Sequence, residues 1–451
     1  MNQRLFGTDG IRGMANRHPM SPNFVLPLGQ AIGIYFKKAY PHPRILIGKD
    51  TRLSGYMLEQ ALAAGICSVG VDVFFLGPLP TPGIAYLTRG MRACAGIVIS
   101  ASHNPFFDNG IKIFSANGYK LPDEVEDQLE AIVRKKPAFE EYPTHKNIGR
   151  ATRIEDAIGQ YAVFLKEQFP KHLTLEDKRI VIDCANGAAY RVAPKVFEEL
   201  GADLFSLGVE PNGNNINENC GALNPERVRE SVHTYKADIG LAFDGDADRL
   251  VVVDEKGEIL DGDQLLAICA NFLNSKGRLK QKGVVATVMS NMGLDVAMKR
   301  SGIKVVRTQV GDRYVVDEMR KGDYNLGGEQ SGHLIFKDCS TTGDGILAAL
   351  QLLEICQETG KTVSELKKCL ELFPQVLKNV EVKKKIPFSE LPSLEKEVLL
   401  CEKKLDGRGR VLIRYSGTEN LARIMVEGED LANIEEMAGN LAEIVKKELC
   451  F

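Results

Sequence analysis

Residues 239–258 read IGLAFDGDADRLVVVDEKGE. An apolar run, IGLAF, ends abruptly in DGDADR, and a second apolar run, LVVVD, follows before a Lys-Gly turn. That is a strand, an acidic loop, a strand and a hairpin turn. Similar runs recur on the N-terminal side. RILIGKD (44–50), VDVFFLG from Val71, AGIVISAS from Ala95 and RIVIDCANG (179–187) read as strands, and residues 54–69 carry helical apolar spacing. VVATVMSN continues the alternation on the C-terminal side, to about Gly360. Strands alternating with helices predict α/β domains with mostly parallel sheets. The end of the chain differs. KNVEVKKK, a helical stretch, GRVLIRYSG, LARIMVEGE and a last helix from about Leu431 predict a small α+β domain.

At 451 residues the chain is too long for one ordinary core. The reading is three similar α/β domains with mixed sheets, over 1–150, 151–256 and 257–373. A smaller α+β domain follows over 374–451, and a cleft is expected between the four. Ligand sites in open α/β sheets lie beyond the carboxyl ends of strands, and the polar motifs of this chain fall there.

Composition narrows the function. Hydrophobic residues make up 44% and charged residues 26%, as in an ordinary globular protein. A net charge of −3 gives no reason to expect nucleic-acid or anionic-membrane partners. Lys383–Lys385 reads as a short solvated run. The ten cysteines form no CxxC pair and many lie in apolar contexts, which predicts reduced core thiols in a cytoplasmic protein. MNQRLFGTDGIRG has no apolar signal-like stretch, and Asp72 and Pro78 interrupt the apolar run Leu62–Leu79, so no membrane span is expected.

Three carboxylates at alternate positions, Asp244, Asp246 and Asp248, repel one another unless a cation compensates. Oxygen ligands favour a hard divalent ion such as Mg²⁺. A calcium EF-hand loop matches Asp at its first, third and fifth positions, with Glu255 twelfth. Its sixth position requires Gly and here is Arg249, and the flanks are strands, so that reading fails. Arg249 beside a metal suits a phosphate oxygen. RYSGTEN (414–420) offers Arg414, Ser416, Gly417 and Thr418 as a nest for a phosphate dianion, with Arg423 as a second charge. In GGEQSGH (327–333), Glu329 and Ser331 can hydrogen-bond sugar hydroxyls and His333 can move a proton.

Ser102 ends the stretch AGIVISASHNP. No G-x-S-x-G frame surrounds it, so an acyl-transfer role is not supported. His103 is its sequence neighbour, and adjacent side chains on an extended chain point apart, so a Ser–His dyad is not expected. A presented serine, a metal loop and a phosphate nest together point to phosphoryl transfer. Lys112, ten positions on, is either a surface lysine or a cation near the hydroxyl. Arg12 falls in the glycine-rich loop GTDGIRG (7–13). Ser100, two positions before Ser102, is a candidate for assisting self-phosphorylation.

GTDGIRG, ISASHNP, FDGDADR, GGEQSGH and RYSGTEN, in this order, resemble the α-D-phosphohexomutase superfamily over essentially the whole chain. GTDGIRG and GGEQSGH, with VGDRYV (310–315) and DCANGAAY (183–190), are similar to its bacterial phosphoglucosamine mutase branch. The resemblance implies that Ser102 is a phosphoserine, with Mg²⁺ held by Asp244, Asp246, Asp248 and an oxygen of that phosphoserine. It implies sugar contacts from Glu329 and Ser331, and a grip on the non-reacting phosphate from Arg414, Ser416, Gly417, Thr418 and Arg423. Arg12, Lys112 and His333 would lie near the transferring phosphoryl group, with Lys112 or His333 as acid/base. The implied substrate is a hexosamine phosphate, interconverted between its 6- and 1-phosphates to supply UDP-N-acetylglucosamine synthesis by a monomer or homodimer. Asn420 and Asn224 depart from the family's usual Pro and His, away from the serine and the metal loop. The alternatives are a phosphomannomutase or phosphoglucomutase, or a sugar phosphatase that uses the acidic loop.

Overall fold

The computed structural model describes residues 4–135, 142–415 and 420–449. It divides into two compact units, Met1–Met289 with Ser301–Cys369, and Ser290–Arg300 with Leu370–Phe451.

The first unit holds three sheets. One contains β1 (Ile11–Met14), β2 (Arg44–Lys49), β3 (Asp72–Pro78), β4 (Ala95–Ile99), β5 (Asp108–Ser115) and β6 (Ala151–Arg153), in the order β1-β5-β4-β2-β3-β6. The second contains β7 (Arg179–Asp183), β8 (Asp203–Leu207), β9 (Ile239–Phe243), β10 (Leu250–Asp254) and β11 (Ile259–Leu260), ordered β11-β10-β9-β7-β8. The third contains β12 (Gly283–Thr287), β13 (Lys304–Thr308), β14 (Leu326–Gly328) and β15 (Leu334–Phe336), ordered β13-β12-β14-β15. The first sheet therefore reaches past residue 150 through β6, and the second reaches Leu260 through β11.

Every residue of β4 (AGIVI) and of β9 (IGLAF) is buried. Continuous apolar runs of this length suit strands covered on both faces. In each sheet a parallel set borders an antiparallel pair, β4 with β5, β9 with β10, and β14 with β15; β1 adds to β5 and β11 to β10, both antiparallel. The loop inside each pair carries a sequence motif. Residues 100–107 hold Ser102, residues 244–249 hold the acidic turn, and residues 329–333 hold Glu329 and His333. The mixed sheets are thus three versions of one device, a buried strand that reverses through a polar loop.

The second unit is an antiparallel sheet of β16 (Gln375–Glu381), β17 (Gly409–Tyr415) and β18 (Leu421–Gly428), ordered β16-β18-β17. Helices Pro392–Leu405 and Leu431–Leu449 close its core through Leu394, Ile424, Ala438 and Leu441. Residues 290–300 group here by contact: Met292 N–H donates to Glu427 Oε1 at 3.1 Å, and Arg410 Nη2 donates to the Ser290 carbonyl at 2.6 Å. Sequence order alone places them within the third α/β segment.

Among the described residues all nine cysteines are free, and no helix is long and apolar enough to cross a membrane. Ile97, fully buried in β4, tests the packing. Ile97→Ala should cost about 2–5 kcal/mol, read as a lower urea midpoint of the first unit; an unchanged midpoint would contradict this placement.

Candidate active site

Ser102 follows the end of β4 in a left-handed conformation, φ 50°, which costs a non-glycine residue about 1–2 kcal/mol. Its N–H donates to Ser100 Oγ at 2.9 Å, and its Oγ donates to Asp244 Oδ2 at 2.6 Å. His103 Nδ1 lies 3.2 Å from the same Oγ. The extended-chain expectation that the two side chains diverge is therefore corrected: the left-handed turn brings them to one side. Burial, then the charges of Arg249 and Arg12, lower the His103 pKa to about 4, so the ring is neutral near pH 7. Ser100 is fully buried, and its hydroxyl donates to Asp50 Oδ2 at 2.6 Å while accepting the Ser102 N–H. That engagement gives it a role in shaping the turn.

Asp244, Asp246 and Asp248 are buried at the end of β9, each offering a carboxylate oxygen within 4.8 Å of the others. A Cβ on Gly245 would stand 2.6 Å from the Ser102 carbonyl oxygen, so only glycine lets the acidic turn lie against the serine loop. Asp246 Oδ2 accepts from Thr81 Oγ1 at 2.7 Å and from Lys112 Nζ at 3.0 Å. Asp246 Oδ1 is buried without a hydrogen-bond partner, and Asp248 Oδ1 meets only long ion-pair contacts, His333 Nδ1 at 3.6 Å and Arg249 Nε at 3.8 Å. Burial, then the charges of Asp248 and Asp246, raise the pKa of Asp244 well above the ordinary carboxylate value. Clustered hard oxygens, one of them orphaned, fit a divalent cation. Glu255 takes no part; it accepts from the Ser364 hydroxyl and backbone N–H.

Lys112 is no surface lysine. It is 1% exposed in the middle of β5. Burial opposes its charge, but Asp246, Asp9 and Asp248 outweigh that and raise its pKa. It belongs to a closed ring in which acids and bases alternate. Lys112 Nζ is 3.6 Å from Asp248 Oδ2 and 3.3 Å from Asp9 Oδ2. Lys120 Nζ is 2.5 Å from Asp9 Oδ1 and 2.7 Å from Asp312 Oδ2. His333 closes the ring, with Nε2 3.7 Å from Asp312 and Nδ1 3.6 Å from Asp248 Oδ1. Sequence reasoning missed Asp9, Lys120 and Asp312, although Asp9 lies inside GTDGIRG and Asp312 inside VGDRYV. Lys120 carried no motif signal at all.

His333 is buried, and the Gly343 N–H donates to its Nε2 at 3.1 Å. A Cβ on Gly343 would meet the ring at 2.5 Å. Burial opposes protonation of His333, yet Asp248, Asp312 and Glu329 raise its pKa to about 9; protonation puts a hydrogen on Nε2, toward Asp312, in place of the Gly343 contact. Arg12 stands in β1, not in the glycine loop before it. It donates to the Ala101 carbonyl and to Asn104 Oδ1, each at 3.3 Å, and pairs with Asp9. The Arg249 N–H donates to Asp244 Oδ1 at 3.2 Å, and its buried Nε has no hydrogen-bond partner. Glu329 Oε1 accepts the Gly311 N–H at 3.1 Å, and burial raises its pKa. Ser331 is exposed in the turn after it. In the second unit Arg414 and Arg423 sit directly opposite each other on β17 and β18. Burial, then Arg423, lower the Arg414 pKa. Ser416, Gly417 and Thr418 lie outside the described residues.

Four family descriptions match in order. They are phosphoglucomutase/phosphomannomutase alpha/beta/alpha domain I over residues 3–139, domain II over 160–257, domain III over 261–373, and the C-terminal domain over 377–444. A phosphoglucosamine mutase from Citrifermentans bemidjiense is 58% identical, over 99% of this chain and 98% of its own. One from Nitratidesulfovibrio vulgaris is 57% identical, over all of both chains. The solved structure of a phosphoglucomutase/phosphomannomutase family protein from Burkholderia thailandensis shares the fold. Its TM-score is 0.82 at 24% identity, over 99% of this chain and 98% of that one.

Two measurements check the electrostatics. Lys112→Met should destabilise the metal-free protein by about 3–5 kcal/mol, because it strips the buried carboxylates of their cation. Added Mg²⁺ should recover part of that loss in a thermal melt; equal loss with and without Mg²⁺ would contradict the arrangement. Asp344 caps the helix Gly345–Thr359 and accepts from Tyr161 at 2.6 Å. Burial raises its pKa to about 6. A raised acid binds its proton more tightly when folded, so its contribution is fully present below the unfolded value near 4 and is lost as pH rises through 6. Asp344→Asn should therefore gain up to about 3 kcal/mol relative to the parent between pH 4 and 7; a constant difference would contradict the shift.

Proposed function

We propose that this chain, which belongs to the phosphoglucomutase/phosphomannomutase family, interconverts glucosamine 6-phosphate and glucosamine 1-phosphate. The observation that carries the reading is the Ser102 Oγ–Asp244 Oδ2 contact of 2.6 Å. It puts the hydroxyl of Ser102, 1% exposed, at the edge of a carboxylate cluster suited to a metal. The curated relatives named as phosphoglucosamine mutases, matched over the full chain, supply the substrate class.

In the forward direction the free sugar hydroxyl attacks the phosphorus of phospho-Ser102. A new P–O bond forms to the sugar, the P–O bond to Ser102 breaks, and a bound 1,6-bisphosphate results. Lys112 or His333, each held in its charged form, gives its proton to Ser102 Oγ as that oxygen leaves and, so neutralised, takes up the proton of the sugar hydroxyl. The bisphosphate then reorients, and its other phosphoryl group returns to Ser102 by the same exchange. Asp244, Asp246 and Asp248, with a phosphoserine oxygen, would hold Mg²⁺, which offsets negative charge on the transferring group. Arg12 and Arg249 face the same charge; the orphaned Nε of each is a donor in reserve. Glu329 and Ser331 hold sugar hydroxyls. Arg414, Ser416, Gly417, Thr418 and Arg423 grip whichever phosphate is not reacting, and a charge-and-backbone grip tolerates both ends of the sugar. The reading carries four domains, 1–150, 151–256, 257–373 and 374–451, in a cytoplasmic enzyme.

The test pairs a substrate panel with one variant. Turnover should be fastest on glucosamine 6-phosphate, slower on glucose and mannose phosphates, and lower by at least about 10³-fold in Ser102→Ala. Faster turnover of a non-amino sugar would overturn the substrate assignment. Inorganic phosphate as the main product, with Ser102→Ala fully active, would make the protein a phosphatase.

A further inference from the structure

Arg52 is fully buried and reaches neither the acidic turn nor the ring of charges. Its guanidinium is turned wholly onto the loop that carries Ser102. Nη2 donates to the carbonyls of Ser102 and Asn104, each at 2.8 Å. Nη1 donates to the Pro105 carbonyl and, at 3.2 Å, to that of Asp108. Nε donates to Asp50 Oδ2 at 2.8 Å. One rigid fork thus fixes four carbonyls within seven residues.

Two further contacts complete a clamp. Asn217 Nδ2 donates to the same Ser102 and Asn104 carbonyls, at 2.9 and 3.1 Å. Asp50 also accepts from Ser100 Oγ, which in turn accepts the Ser102 N–H. Both backbone polar groups of Ser102 are therefore held, on a residue whose left-handed φ of 50° is unfavourable without support. A lysine could not reproduce this. It offers a point charge on a flexible stem where the loop needs donors in a fixed plane.

We propose that Arg52 is a positioning residue for phosphoryl transfer. It acts through the carbonyls of residues 102, 104, 105 and 108 to return Ser102 Oγ to one place after each transfer, with Asn217 as its partner. This rests on the reading of Ser102 as the phosphoryl carrier. Arg52 contacts no candidate sugar- or phosphate-binding group, so its loss should act on kcat and not on KM.

The experiment uses the full-length protein with Mg²⁺. Arg52→Lys should lower kcat by about 10²-fold, the cost of displacing a reacting atom by about 1 Å, with KM for glucosamine 6-phosphate unchanged within about threefold. Asn217→Ala should lower kcat by about tenfold with the same KM. In Arg52→Ala, millimolar guanidinium should restore kcat at least tenfold where ethylammonium does not, as planar-fork geometry requires. If that variant does not fold, Arg52→Lys and Asn217→Ala decide. Parental kcat in both overturns the proposal, as does a loss that only tracks the unfolded fraction in a thermal melt. Ser102→Ala is assayed in parallel. Full turnover there removes the carrier reading itself, whereas an inactive Ser102→Ala beside a normal Arg52→Lys removes only the clamp.

Discussion

Three buried carboxylates within 4.8 Å of one another are the constraint that organises this molecule. Removed from water, they cannot all remain ionised without nearby positive charge. Lys112 supplies part of it, and it is buried only because Asp246, Asp248 and Asp9 hold it charged. Asp9 then calls for Lys120, Lys120 for Asp312, and His333 completes the circuit back to Asp248. Asp246 Oδ1 remains without a donor, which suits a divalent ion. The hydroxyl of Ser102 enters this field at 2.6 Å from Asp244.

The fold exists in a form that makes such a site reachable. Parallel strands covered on both faces bury their polar ends, whereas an antiparallel pair at the margin can turn through a polar loop. Each of the first unit's sheets uses that margin: β4–β5 for the serine, β9–β10 for the carboxylates, β14–β15 for Glu329 and His333. Glycine appears where two of these loops touch, at Gly245 against the Ser102 carbonyl and at Gly343 against the His333 ring.

Much of this was legible in the sequence, and the reasons for the remainder are physical. Strands announced themselves as apolar runs stopped by Gly, Asp or Pro. The acidic turn announced itself because three aspartates at alternate positions have few other uses. Long-range partners gave no local signal. Lys120 and Asp312 are 192 residues apart and meet only through the packing of two sheets. Arg52 sits in an ordinary-looking strand-to-helix turn, and nothing nearby in sequence shows that its targets lie fifty residues on. One local inference failed for a reason of backbone geometry. The expectation for His103 assumed an extended chain, and Ser102 is left-handed. Arg12 was read as part of a glycine loop because Gly10 and Gly13 flank it, yet it pairs with Gly110 as a residue of β1.

The central claim is that Ser102 carries the phosphoryl group that the sugar receives. A single-turnover experiment addresses it: Ser102 loaded with isotopically labelled phosphate is mixed with excess unlabelled glucosamine 6-phosphate and quenched over time. The account predicts that label leaves the protein, appears first in a sugar bisphosphate and then in sugar monophosphate, with the serine rephosphorylated by unlabelled phosphate. Label that stays on the protein while product forms, or that emerges as inorganic phosphate, would contradict it.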